Sequence, residues 1–107
     1  SHTLTHHVLK FLSEDEKRFE LVKSKKRLES QLQLPIDMLV YPYGSMSEID
    51  TATVSAAQEA GYKTGLMNVQ THSLSNPLLT QGRFAFPPIA DVAHLHAIVS
   101  GYKFLFR

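Results

Sequence analysis

Met38-Leu39-Val40-Tyr41-Pro42-Tyr43-Gly44 is the stretch on which the fold turns. The apolar run Met38 to Tyr41 is held between Pro35 and the Pro42-Tyr43-Gly44 turn, which is too short a space for a helix and reads as a buried strand. Upstream, Ser13-Glu14-Asp15-Glu16 has the hydroxyl and carboxylate spacing of a capping box. This predicts a helix over 13–33, with Leu21, Val22, Leu28 and Leu32 as its apolar stripe and Pro35 as its stop. Downstream, Ser47 to Asp50 supplies a second cap, Ala52 to Ala60 a short helix of small residues, and Gly61 its end. A second strand is expected over Tyr62–Val69, a polar loop over Gln70–Gly82 and a third strand over Arg83–Phe86. A helix is expected over Ala90–Ser100, ended by Gly101, and a last strand over 102–106 with one aromatic face. Strands separated by helices favour an α/β sheet with crossover connections.

The chain has 107 residues, 43% hydrophobic and 20% charged, with formal net charge +1. These values fit a single domain over 1–107 with one modest core. No run approaches the roughly 18 apolar residues of a membrane span, and the start lacks the basic-then-apolar order of a signal peptide. No span and no self-targeting segment are therefore expected. With no cysteine, disulfides, thiolate metal sites and cysteine nucleophiles are excluded, so a metal site would draw on His and carboxylate ligands. The basic residues Lys23, Lys25, Lys26 and Arg27 follow Glu14, Asp15, Glu16 and Glu20 on one helix, the order that complements a helix dipole. That arrangement reads as a solvated face, so nucleic acid is not an expected partner.

Two places could carry chemistry. In His2-Thr3-Leu4-Thr5-His6, followed by His7, two imidazoles four residues apart would project from one side of a helical turn. Together with a carboxylate they could hold a divalent metal; the competing reading is a polar N-terminal turn or a tag remnant. Tyr41-Pro42-Tyr43-Gly44 leaves the C-terminal end of a strand, where α/β folds place ligands. Its rigid turn could aim the Tyr43 amide at an oxyanion, or it could be an ordinary turn with aromatic packing.

Taken in order, His-Thr-x-x-His, the capped helix with Ser24-Lys25-Lys26-Arg27-Leu28-Glu29, Pro35-Ile36, Val40-Tyr41-Pro42-Tyr43-Gly44 and Ala60-Gly61-Tyr62 resemble the polysaccharide deacetylases. This is the NodB homology domain of carbohydrate esterase family four, in its poly-N-acetylglucosamine deacetylase-like branch. The resemblance covers residues 1–65 best. It implies a partial (β/α) barrel and metal-dependent removal of N-acetyl groups from an amino-sugar polysaccharide. His2 and His6 would ligate a divalent metal, usually zinc. Thr3 would steady their turn, and the Tyr43 backbone N–H would face the oxyanion. Tyr41 and Pro42 would shape the substrate groove. The family often works at the cell envelope.

The resemblance also implies parts that this sequence does not supply. The family's Asp-Asp motif, source of a metal carboxylate and the base, belongs upstream of the histidine motif, and the arginine that many members place before Pro-Tyr falls at Val40. His72, His94 and His96 are candidates for the late histidine acid, each better read as a surface or capping residue. Asp15, Asp37, Asp50 and Asp91 lack the family context, although Asp50 or Asp91 could approach the site at a strand end. The expectation is a partial barrel lacking its N-terminal strands, inactive or feeble alone, that self-associates or pairs with an N-terminal segment. The alternative is a non-catalytic carbohydrate-binding or assembly module on the same fold.

Overall fold

A computed structural model describes residues 1–70, 77–84, 88 and 91–100. Helix α1 spans Glu14–Leu32. The Ser13 hydroxyl accepts from Glu16 N (3.3 Å) and the Glu16 carboxylate accepts from Ser13 N (2.8 Å), so both halves of the capping box form. Gln33, left-handed at φ 53°, ends the helix before Pro35 and donates its N–H to Glu29 O. The buried stripe differs from the one expected. Leu21 is fully buried, whereas Leu32 is 54% exposed, and the buried face consists of Lys17, Glu20, Leu21 and Ser24. This face meets polar backbone rather than a purely apolar sheet. Lys17 pairs with Glu14 (2.9 Å), and the Ser24 hydroxyl donates to Leu21 O. Among the described residues, no buried side-chain polar atom lacks a partner.

Strand β1 is Met38–Val40 and β2 is Thr64–Leu66, paired in parallel with Leu39 opposite Gly65. Tyr41 N donates to Leu66 O (3.1 Å), carrying the ladder to the end of the expected strand. Helix α2, Thr51–Glu59, forms the crossover; Asp50 caps it by accepting from Thr53 N (2.8 Å). Gly61 then takes φ 90° and turns the chain into β2. Gly65 leaves room for the Tyr41 ring, because a Cβ there would lie 2.8 Å from its Cε2 and hydroxyl and overlap the Leu79 carbonyl. Where the chain enters β1 and β2, Lys25 pairs with Glu29 (2.8 Å) and Lys63 with Asp37 (2.9 Å), so one cation of the Lys23–Arg27 run is already neutralised.

Two further segments extend the parallel pattern. Ser1 N donates to Met38 O and Val40 N to Ser1 O, both at 2.8 Å, on one side of β1. On the far side of β2, Gln81 bridges Leu66 in parallel, with Gln81 N on Gly65 O (2.9 Å) and Met67 N on Gln81 O (2.7 Å). Thus Ser1, β1, β2 and the Gln81 segment lie side by side in chain order. The third strand, expected over Arg83–Phe86, makes its contacts earlier, at Gln81, and Arg83 N still reaches Val69 O (3.1 Å). Residues 85–86 and the strand expected over 102–106 lie outside the described residues. Helix α3 is Val92–Val99, capped by Asp91.

Leu9, Leu21, Leu39, Tyr41, Ala56, Ala57, Tyr62 and Met67 form the core between the helices and the sheet. Leu21 and Leu39 are both 0% exposed, so each contributes about 1.5–3 kcal/mol of transfer free energy. Among the described residues no helix is long and apolar enough to cross a membrane. The architecture is a mixed α/β arrangement in which every described strand points the same way.

Candidate functional site

Parallel strands bring their C-terminal ends to one edge, and the loops leaving Ser1 and β1 meet there. His2 Nδ1 lies 2.7 Å from Val40 O. A carbonyl only accepts, so Nδ1 carries a proton, and in the neutral imidazole Nε2 keeps its lone pair. A backbone carbonyl behind one ring nitrogen is the support that metal-ligating histidines generally have. The His6 ring sits with its centroid 4.6 Å from that of His2, at 65°. Both rings are exposed.

The histidines do not meet on a helical turn, as their spacing suggested. Residues 1–8 are irregular, with Thr3 at φ 62° and His6 at φ 63°. Both residues are left-handed, so the chain folds back on itself and the Thr3 hydroxyl accepts from His6 N (3.2 Å). For a β-branched residue that conformation is a true outlier. Tyr43 is the third left-handed residue at this edge, at φ 63°. Its ring lies 4.9 Å from the His6 ring, and Gly44 N donates to Pro42 O (2.7 Å) around it. The Tyr43 N–H itself donates to no acceptor among the described residues. Such strain, of order 1–3 kcal/mol per residue, persists where the surroundings over-determine it, and it gathers at functional sites.

Tyr41 and Pro42, expected to shape a groove, are buried. Tyr41 is 1% exposed and donates its hydroxyl to Leu79 O (2.8 Å); burial pushes the phenol up to about 12. A ring enclosed in this way supports the turn from behind and presents no face to a ligand. The candidate aspartates are also engaged elsewhere: Asp50 caps α2, Asp91 caps α3 by accepting from His94 N (2.8 Å), and Asp37 pairs with Lys63. Asp15 stands exposed in the first turn of α1. Asp50 and Asp91 are thus spent on helix ends rather than brought to the histidines. Among the described residues, no three His, Asp or Glu side chains group to hold a metal. His94 and His96 are exposed on α3, and His72 lies outside the described residues.

Glu20 was read in the sequence only as one of the helix's acidic residues. Its Oε2 accepts from Leu4 N (2.8 Å) and Thr5 N (2.9 Å), and its Oε1 accepts from the Thr5 hydroxyl. Burial raises its pKa, but the Thr5 and Leu4 donors outweigh it and the net effect is a lowered value. The available signal was a carboxylate next to Leu21 on the inward stripe 17, 20, 21, 24.

The profile of the polysaccharide deacetylase family matches residues 1–65, more than half of the chain. The chain belongs to the polysaccharide deacetylase family. Among solved structures, the Streptococcus pyogenes deacetylase PplD, in complex with acetate, is similar at 28% identity and a TM-score of 0.81, covering 89% of this chain and 41% of PplD. A Bacillus cereus polysaccharide deacetylase aligns with a TM-score of 0.79 at 22% identity, over 92% of this chain and 31% of its own length. A Bacillus anthracis putative polysaccharide deacetylase gives 0.77 at 23%, over 94% and 30%. The latter two support the deacetylase fold alone. Curated protein sequences give no match. The chain spans less than half the length of the solved deacetylases it resembles.

Proposed function

We propose that this chain carries the histidine and oxyanion elements of a metal-dependent N-deacetylase acting on an N-acetylated amino-sugar polysaccharide. The observation that carries this reading is His2, whose Nδ1–H is held by Val40 O so that Nε2 is left as a donor atom beside the His6 ring. Two such imidazoles suit a divalent metal, zinc by the family resemblance. When bound, that metal supplies Lewis-acid polarisation of an acetamide carbonyl. Hydrolysis of an acetamide adds water across the carbonyl, breaks the C–N bond, and releases acetate and a free amine. Acetate is the molecule bound in PplD. The Tyr43 N–H, which has no acceptor among the described residues, would donate to the carbonyl oxygen as it becomes negative. The His6–Tyr43 ring contact keeps that donor beside the histidines.

The in-order parallel neighbours Ser1, β1, β2 and Gln81 support a segment of a (β/α) barrel, since doubly wound sheets reverse their strand order. The family's aspartate pair has no counterpart among the described contacts, so the isolated chain is expected to be inactive or feeble. Phe19, Leu32 and Leu34, each more than half exposed, supply apolar surface for a second copy or a complementary segment. A monomer mass by light scattering at high concentration would contradict that association.

The test is titration with zinc alone, run beside acetate release from N-acetylglucosamine oligomers. His2→Ala and His6→Ala should each weaken zinc binding at least tenfold. Equal zinc affinity in wild type and both variants, or acetate release that the wild type shows and both variants retain in full, would defeat this reading.

A further inference from the structure

The loop between the two histidines is strained, and something must hold it. Thr3 and His6 both sit in the left-handed region, and among the described residues the bond that spans them is His6 N to the Thr3 hydroxyl, a long one at 3.2 Å. Between them, Leu4 N and Thr5 N donate to one carboxylate oxygen of Glu20. The other oxygen of Glu20 takes the Thr5 hydroxyl proton. That hydroxyl has one proton, so toward His7 Nδ1, 2.5 Å away, it can only accept. His7 Nδ1 therefore carries a proton too, and a relay runs from His7 through Thr5 to Glu20.

We propose that Glu20 is the positioning residue of the histidine loop, setting the separation of the His2 and His6 rings from helix α1 without touching either. Three features carry it. Glu20 is 6% exposed, so its carboxylate is held in one place by packing. All three of its acceptor contacts fall on the loop residues Leu4 and Thr5, between the candidate ligands. The strain it opposes lies at Thr3 and His6, on either side of those contacts. His2 is fixed independently by Val40 O, so Glu20 governs chiefly where His6 stands relative to it. The consequence for metal binding rests on the deacetylase reading above; the consequence for loop order does not.

Two readouts on the 107-residue chain separate these consequences. In the metal-free chain, amide hydrogen exchange at Leu4 and Thr5 should be slow in wild type and at least tenfold faster in Glu20→Ala, with α1 amides unchanged. In zinc titration, Glu20→Ala should weaken binding about 10–100-fold, the usual effect of removing a supporting residue behind metal ligands. Glu20→Gln keeps an oxygen for both amides and an N–H for the Thr5 hydroxyl, so it should recover most of both losses. If Glu20→Ala does not fold, Thr5→Val takes its place: it keeps the amides, removes the relay hydroxyl, and should weaken zinc binding with little change in melting temperature. Unchanged exchange at Leu4 and Thr5 overturns the proposal, as does zinc affinity equal to wild type in the folded variant. If wild type binds no zinc, the deacetylase reading fails, and the exchange rates alone decide whether Glu20 orders the loop.

Discussion

Replacing Gly44 with alanine tests how tightly the Tyr43 turn is built. Gly44 has φ 72°, and an added Cβ would lie 2.7 Å from Asn68 N, 3.1 Å from Tyr41 O and 3.2 Å from Asn68 Cβ. Asn68 N also donates to Gly44 O (2.8 Å), so the turn cannot back away without stretching that bond. Gly61 is the control: it has φ 90° but nothing nearer to its added Cβ than Lys25 Cε at 3.5 Å. Gly61→Ala carries only the left-handed cost, about 1–2 kcal/mol, less about 0.4–1 kcal/mol from a less disordered unfolded chain. Gly44→Ala adds overpacking against backbone, about 1–3 kcal/mol, and the strained Asn68–Gly44 bond, about 1 kcal/mol. The net expectation is about 0.5–1 kcal/mol for Gly61→Ala against about 3–5 kcal/mol for Gly44→Ala. With an unfolding entropy of roughly 0.2 kcal/mol/K for a chain of this size, the melting temperature should fall by about 3–5 °C and about 15–25 °C respectively. Thermal melts followed by circular dichroism read both directly. A Gly44→Ala protein melting within about 3 °C of Gly61→Ala would show that Asn68 does not confine the turn, and the rigidity argued for the Tyr43 amide would go with it.

Further expectations concern pH and the core. Glu16 is held below the ordinary carboxylate range by the Ser13 backbone N–H, Glu29 by the Ile36 N–H, Asp37 by Lys63 and Asp50 by the Thr53 hydroxyl. Each binds its proton more weakly folded than unfolded, so their stabilisation is complete above the unfolded values, about 4. It is lost as pH falls through the lower folded ones. Melting temperature should therefore be flat from pH 7 to 5 and drop toward pH 3, less steeply in Asp50→Asn; an equal melting temperature at pH 3 and 5 would contradict this. Tyr41 behaves in the opposite sense: burial holds its phenol at about 12, so stability should fall as pH rises from about 10. Tyr41→Phe, which leaves the Leu79 carbonyl without its donor, should cost about 1 kcal/mol in urea unfolding and remove that alkaline loss.

Helix α1 was legible because both its ends are written in local chemistry, a capping box at Ser13 and a stop at Pro35. The β1–α2–β2 unit was legible for the same reason, from the Pro42-Tyr43-Gly44 turn, Asp50 and Gly61. The inward face of α1 was not legible. Periodicity assumes that what faces inward is apolar, whereas Lys17, Glu20 and Ser24 face inward to satisfy polar groups of the loop and of their own helix. The candidate site divides similarly. His2, His6 and Tyr43 could be named from residue type, but their juxtaposition depends on left-handed backbone at Thr3 and His6, which no residue preference announces. Tyr41 was misplaced because an aromatic at a strand end can face either side of the sheet, and Gly65 on the neighbouring strand decided which.

Because every described strand runs the same way, the described part of the molecule has two unlike poles. At one, His2, His6 and Tyr43 stand exposed on loops that carry strained backbone. At the other, where the chain enters β1 and β2, Lys25, Glu29, Asp37 and Lys63 tie helix and strands together with ion pairs. Substitutions that erode or reinforce the second pole should act first on endurance to heat and salt. A more durable version of this chain is accordingly best sought around Gln33–Asp37 and Ala60–Lys63, at the strand ends opposite His2, His6 and Tyr43.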